Sequence, residues 1–176
     1  MEDAGWKIRN NRSEMALNLR AAAKRQLRWK PGPRAFQRLQ LGMDVQTLQT
    51  SFSDHFAPWV LALGLTVDTV NPDSVVMRLP SNAALSRSGG TLCGQAMMAA
   101  ADTAMVMALI NHFGAFRPCT TVQMSSSFLK PLSGQDALVQ ARIVRAGKTM
   151  AFGEIDIRGA TDGKSVCRCS VAYALL

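Results

Sequence analysis

The stretch that most constrains this chain runs from residue 89 to 112 and opens on Gly89-Gly90. From residue 96 to 110 every side chain is apolar except Asp102 and Thr103. Ala and Met dominate, which favours helix and lets other elements pack closely or adaptably against it. A helix apolar all round leaves no solvent face and is expected to be buried. At about 1.5 Å per residue the fifteen positions span about 22 Å, short of the roughly 30 Å of a bilayer core, so the stretch predicts a core helix and no membrane span. Asp102 would then be an acid inside that core. Burying a carboxylate without partners is unfavourable, and two readings are open: a hydrogen-bonded structural acid, or a catalytic carboxylate.

The rest of the chain supplies strands to cover such a helix. Asp44 suits an N-cap for a helix reaching residue 56, with Val45, Leu48, Phe52 and Phe56 on one face and Pro58 ending it. Residues 64–70 and 74–79 read as a hairpin around Asn71-Pro72-Asp73, and residues 80–90 as a polar loop leading to the helix. After Phe113-Gly114 closes the helix, strands are predicted at 119–129, 137–145, 150–158 and 165–174, the last three joined by short turns. The expected fold class is α+β. Its plan is a curved antiparallel sheet, ending in a meander of three or four strands, wrapped around one long central helix.

Charge divides the 176 residues unevenly. Residues 1–43 hold 10 Lys and Arg against 3 Asp and Glu, net +7, whereas residues 44–176 hold 10 against 9, net +1. The expected domains are therefore a basic, solvated and partly disordered N-terminal extension over 1–43, and one folded domain over 44–176. Met43 as the true start is the alternative account of the extension. Nothing in it matches a nucleic-acid-binding motif, so no specific nucleic-acid partner is expected. Cys93, Cys119, Cys167 and Cys169 lack metal-ligand spacing, and Cys167 and Cys169 share one strand face. Reduced thiols are expected, and with no signal-peptide pattern a cytoplasmic location. His55 and His112 are too isolated for a zinc site, so no metal is expected.

The segment GGTLCGQAMMAAADTAM, from Gly89, resembles the helix-opening segment of the hotdog-fold acyl-CoA thioesterases, in particular the phenylacetate-pathway (PaaI-like) branch. Residues 126–175 resemble that family's second half, so the likeness covers roughly residues 44–176. The branch opens its helix with His-Gly-Gly and carries an acid, a small residue and Ala about nine positions on. Asp102-Thr103-Ala104 fits, and Gly94 fits the first glycine. Cys93 stands where His is usual, Gln95 where the second Gly is usual, and Arg87 where an active-site Asn is frequent.

The resemblance implies hydrolysis of an acyl-CoA to a carboxylic acid and free CoA, with Asp102 as general base or nucleophile. A backbone N–H of Gly94 or Gln95 is the natural oxyanion donor, because a helix N-terminus presents free N–H groups and a favourable dipole. Thr121 aligns with a hydroxyl that holds the attacking water in relatives. Arg87, Leu92 and Cys93 flank the substrate, and Arg145, Gly147 and Lys148 sit where relatives bind CoA phosphates. No cofactor is expected beyond the CoA of the substrate.

Gly94 and Asp102 lie eight residues apart, roughly 12 Å along a helix, too far to serve one carbonyl within one protomer. A homodimer or dimer of dimers, as the family forms, would combine them. The competing reading is a noncatalytic acyl-CoA-binding hotdog protein. A hotdog hydratase would pair a catalytic His with its acid, and neither histidine is suitably placed.

Overall fold

A computed structural model describes residues 42–176 of the chain. The expectation of a partly disordered basic extension falls on residues 1–43 and so lies almost wholly outside the described residues. The elements are α1 (Val45–His55), α2 (Pro58–Leu61), β1 (Thr66–Asn71), β2 (Ser74–Leu79), β3 (Ser86–Arg87), β4 (Thr91–Leu92), α3 (Gly94–Phe113), β5 (Cys119–Phe128), β6 (Ala137–Ala146), β7 (Met150–Gly159) and β8 (Ser165–Leu175).

Asp44 caps α1: its Oδ1 accepts from Thr47 N at 2.8 Å and its Oδ2 from Thr47 Oγ1 at 2.7 Å. Leu48 and Phe52 are buried as the period requires, but Val45 lies exposed at the first turn. Pro58 does more than stop the helix. It takes the first position of α2, where its missing N–H has no helical partner to lose. The segment expected as a plain polar loop contains a 3-10 turn over Ala83–Leu85 and the small β3–β4 hairpin, both shorter than a periodic signal can reveal.

Six strands form one antiparallel sheet in the order β1-β2-β6-β7-β8-β5, the architecture expected for the hotdog fold. The hairpin and the strands β5 to β8 fall where their alternation and turn residues indicate. Their neighbours differ from a simple meander. β6, β7 and β8 follow one another, while β5 pairs with β8 at the far edge and β6 pairs with β2. A strand's own alternation says which face is buried and is silent about which strand lies beside it.

The helix α3 is twenty residues long, not fifteen, and spans about 30 Å, so length does not separate it from a membrane span. Its packing does. Twelve of its residues are buried, and Ala100, Ala101 and Ala104 are sealed completely against the sheet. Gly153 of β7 makes this approach possible, for a Cβ there would stand 2.3 Å from Met105 Sδ. Gly114, at φ 73°, ends the helix in a left-handed cap.

The expectation that α3 has no solvent face is not met. Gln95 and Met98 are exposed, and Ala99, Asp102 and Val106 are half-buried. These five recur at helical spacing, so they form one stripe along α3 beside the edge strand β5. An apolar sequence identifies a surface to be covered and does not say that its own chain covers it.

Candidate active site

The first half of the site is built where β4 delivers the chain to α3. Leu92 N donates to Leu132 O at 2.8 Å and Cys93 N to Leu85 O at 2.9 Å, which pins the entry to the helix. Cys93 is the N-cap residue and makes no side-chain cap bond. The N–H groups of Gly94 and Gln95 therefore open the first turn, where helix geometry leaves donors without intrahelical partners. A Cβ on Gly94 would lie 3.1 Å from the Phe128 ring, so glycine lets β5 approach the helix start. Phe128 is itself 52% exposed. Arg87, Leu92, Cys93, Gly94, Gln95 and Phe128, with Lys130 beside them, line an open recess of about 650 Å³. All five residues assigned to the helix start or the substrate there from sequence thus meet in one place.

The second half lies two turns along α3. Asp102 is half-buried rather than enclosed, because it belongs to the open stripe. Its Oδ1 accepts from Thr121 Oγ1 at 2.8 Å and from Tyr173 Oη in a short hydrogen bond. The Tyr173 hydroxyl also lies 3.1 Å from the Asp102 carbonyl oxygen. The sheet register explains the convergence. Thr121 on β5 is paired with Tyr173 on β8, so both side chains emerge together on the face that meets α3.

Tyr173 is 1% exposed, and burial first, then the Asp102 charge, push its hydroxyl well above the ordinary phenol range. It is a proton donor throughout the working range of an enzyme. Cys119 is likewise held protonated, its thiol pushed up by burial and by Asp102. Thr121 has one proton and gives it to Asp102, so toward a water its oxygen can only accept.

Tyr173 is the residue that sequence reading missed. It is the chain's one tyrosine, set in an apolar strand, and a buried phenol needs a polar partner. That was the available signal, though it does not say which partner.

One chain keeps the two halves apart. The helix start meets β5 at Phe128 and the acid meets it at Thr121, seven residues away, about 23 Å along an extended strand. Arg145, Gly147 and Lys148 lie toward the acid end, since Ala151, just past their turn, pairs with Tyr173. Gly147 N donates to Met150 O at 2.8 Å to close that turn, and Lys148 O accepts from Arg117 Nη2 at 2.8 Å. The Arg145 and Lys148 side chains are exposed.

His55 stacks on Phe116 and His112 is exposed near the helix end. Among the described residues no group of His, Cys, Asp and Glu is placed to hold a metal. A second recess of about 520 Å³ on the outer sheet face is bordered by Arg142, Glu154, Asp156, Arg158 and Arg168. Its charges are paired with one another at the surface, as Arg142 with Glu154 at 2.7 Å and Arg158 with Asp156 at 2.6 Å.

The fold is that of the hotdog thioesterases. The family model for the thioesterase superfamily matches residues 89–166, a span that includes the helix start, Asp102 and Thr121. The chain is 26% identical over 106 residues to acyl-coenzyme A thioesterase 13 of Mus musculus, covering 59% of this chain and 74% of the relative, and the Homo sapiens protein of that name matches equally. Among solved structures, thioesterase superfamily member 2 of zebrafish superposes with a TM-score of 0.68 at 23% identity, covering 76% of this chain and 99% of that one. A Silicibacter protein described as a candidate thioesterase superposes with a TM-score of 0.71 at 27% identity, covering 80% and 96%.

Proposed function

We propose that this protein is an acyl-CoA thioesterase of the PaaI-like branch whose active site is shared between two copies. The observation that carries the reading is the Asp102 carboxylate. One of its oxygens is held by two hydroxyl donors, and the acid sits on the open stripe of a helix whose start offers free N–H groups. The likeness to acyl-coenzyme A thioesterase 13 supports the choice of substrate class.

β5 has β8 on one side and an unpaired edge on the other, an arrangement that invites another strand. Pairing two β5 edges antiparallel about a twofold axis between Met124 and Ser125 sets Thr121 of one copy opposite Phe128 of the other. The acid of each copy then faces the helix start of its mate. Val122, 58% exposed, and the open stripe of α3 would be covered by the same association. Two such dimers can associate further.

In this arrangement the thioester carbonyl oxygen rests against the Gly94 and Gln95 N–H groups of one copy. Asp102 of the other takes a proton from water, and the resulting hydroxide attacks the carbonyl carbon. Collapse breaks the carbon–sulfur bond, and the CoA thiolate takes the proton from Asp102, leaving carboxylic acid and thiol. Direct attack by Asp102 on the same carbon is the covalent variant, with water cleaving the resulting anhydride. Arg145 and Lys148, exposed beside the Gly147 turn, suit the CoA phosphates. With Cys93 and Arg87 in place of the family's usual His and Asn, the acyl group is oriented by different chemistry at the recess.

Release of free thiol from a panel of acyl-CoAs tests the reading, run beside binding of a nonhydrolysable analogue. Turnover well above buffer on at least one member is expected. Tight analogue binding with no turnover on any member favours the noncatalytic acyl-CoA-binding reading.

A further inference from the structure

We propose that Tyr173 is a positioning residue for Asp102: together with Thr121 it occupies Oδ1 and leaves Oδ2 as the oxygen that reacts. This rests on the thioesterase reading for its catalytic consequence but not for its geometry. A carboxylate oxygen has two lone pairs, and both of those on Oδ1 are engaged, one by Thr121 Oγ1 at 2.8 Å and one by Tyr173 Oη. Every buried side-chain nitrogen and oxygen among the described residues has a hydrogen-bond partner, yet Oδ2 has none from them. Oδ2 is therefore the face of the carboxylate turned to open space, on the stripe where substrate and a second copy meet.

Tyr173 does this more firmly than Thr121. Thr121 stands on an exposed edge strand, whereas Tyr173 is enclosed on β8, between β7 and β5. Its hydroxyl lies 3.1 Å from the Asp102 carbonyl oxygen as well, so its one proton sits against both the side chain and the helix backbone of Asp102. The plane of the carboxylate is thereby set before substrate arrives.

The titratable groups around Asp102 are few. Tyr173 faces it from β8 and Cys119 from β5, both held protonated, and among the described residues Asp102 takes part in no ion pair. Donors to a charged carboxylate stabilise that form, so strengthening the Tyr173 donor and removing it act on Asp102 in opposite directions.

Because Tyr173 is the one tyrosine among 176 residues, growth on 3-fluorotyrosine alters this phenol alone. Fluorination makes it a stronger donor with almost no change in shape, and Tyr173→Phe removes the donor. The acid limb of the kcat/KM profile is expected at lower pH in the fluorinated protein and at higher pH in Tyr173→Phe. In Tyr173→Phe kcat is expected to fall about tenfold with KM within about twofold, the pattern of a group needed to reach the transition state.

The carboxyl 13C signal of Asp102, assigned by its loss in Asp102→Asn, is followed through the same titrations and needs no turnover. Displacement of that titration in opposite directions supports the inference even if the wild type hydrolyses nothing, in which case the thioesterase reading alone fails. Identical titrations in wild-type and fluorinated protein overturn it. So does a Tyr173→Phe protein that loses only thermal stability while its pH profile and kcat stay those of the wild type. Should Tyr173→Phe fail to fold, the fluorinated protein decides by itself.

Discussion

The face of α3 that carries Ala100, Ala104 and Ala108 is closed against the sheet, whereas the stripe that carries Gln95, Met98, Asp102 and Val106 is partly open. The closed face is alanine at all three positions, whereas the stripe mixes Gln95 and Asp102 with apolar side chains. Their surroundings differ further. The closed face meets β2, β6 and β7, where Gly153 gives way to Met105, and small side chains make the contact short. The open stripe runs past the edge strand β5, which covers it incompletely and offers instead Thr121, Phe128 and an unpaired backbone edge. One helix is thus both the centre of the core and the wall of a site, with the division set by which strand lies at the sheet's edge.

The largest expected effect separates the two faces directly. Asp102→Asn keeps the size of the side chain and an acceptor for Tyr173 and Thr121 but removes the base. Hydrolysis should fall by at least about a hundredfold, with melting close to the wild type. A variant that loses stability while its folded fraction keeps its turnover would make the stripe no different from the closed face. Mixing sharpens the test. Gly94→Val crowds Phe128 and the carbonyl's approach, and Asp102→Asn and Gly94→Val refolded together should regain up to about a quarter of wild-type activity. Half the dimers are then mixed and each has one intact site of two. No recovery, with mixed dimers present, would sink the shared site.

On the closed face the effect should appear in stability. Gly153→Ala places a Cβ against Met105 Sδ and within 3.1 Å of Arg142 O, an overpacked contact expected to cost about 1–3 kcal/mol in chemical unfolding. Turnover per folded molecule should hold. Unchanged stability would mean that Met105 swings aside and that the face is looser than its burial implies.

The smallest effect lies where the two faces meet, at Tyr173. Burial and the Asp102 charge raise its hydroxyl above the ordinary phenol value of about 10, so the folded chain keeps a proton that the unfolded chain releases. Its contribution is fully present below about pH 10 and declines as pH rises beyond it. Relative to Tyr173→Phe, the wild type should lose about 1.4 kcal/mol more per pH unit above that point, measured by urea unfolding. Equal slopes would show that the phenol is not enclosed.

Much of this was legible in the residues. The apolar run around Asp102 predicts a core helix, Asp44 predicts its cap on α1, and alternation between turn residues places β1, β2 and β5 to β8 within a residue or two. The helix-start cluster was equally readable, because Arg87, Leu92, Cys93, Gly94 and Gln95 are near neighbours in sequence and a helix N-terminus has fixed geometry. Local patterns carry such information because 3.6-residue and two-residue periods are properties of a single segment.

The rest depends on how the strands pair. That β5 pairs with β8 rather than β6 leaves no trace in either strand, yet it puts Thr121 beside Tyr173 and an unpaired edge beside the open stripe. Asp102 and Tyr173 are 71 residues apart, and no period connects them. The length of α3 was also misleading by itself, since a largely apolar helix of twenty residues suits a bilayer as well as a core, and the sheet closed over one of its faces settled which. Local patterns set the long elements and the chemistry each one carries, but not the short β3–β4 hairpin. The order of strands in the sheet determined which of those chemistries meet, because hydrogen bonds between strands join residues whose separation along the chain no local rule limits.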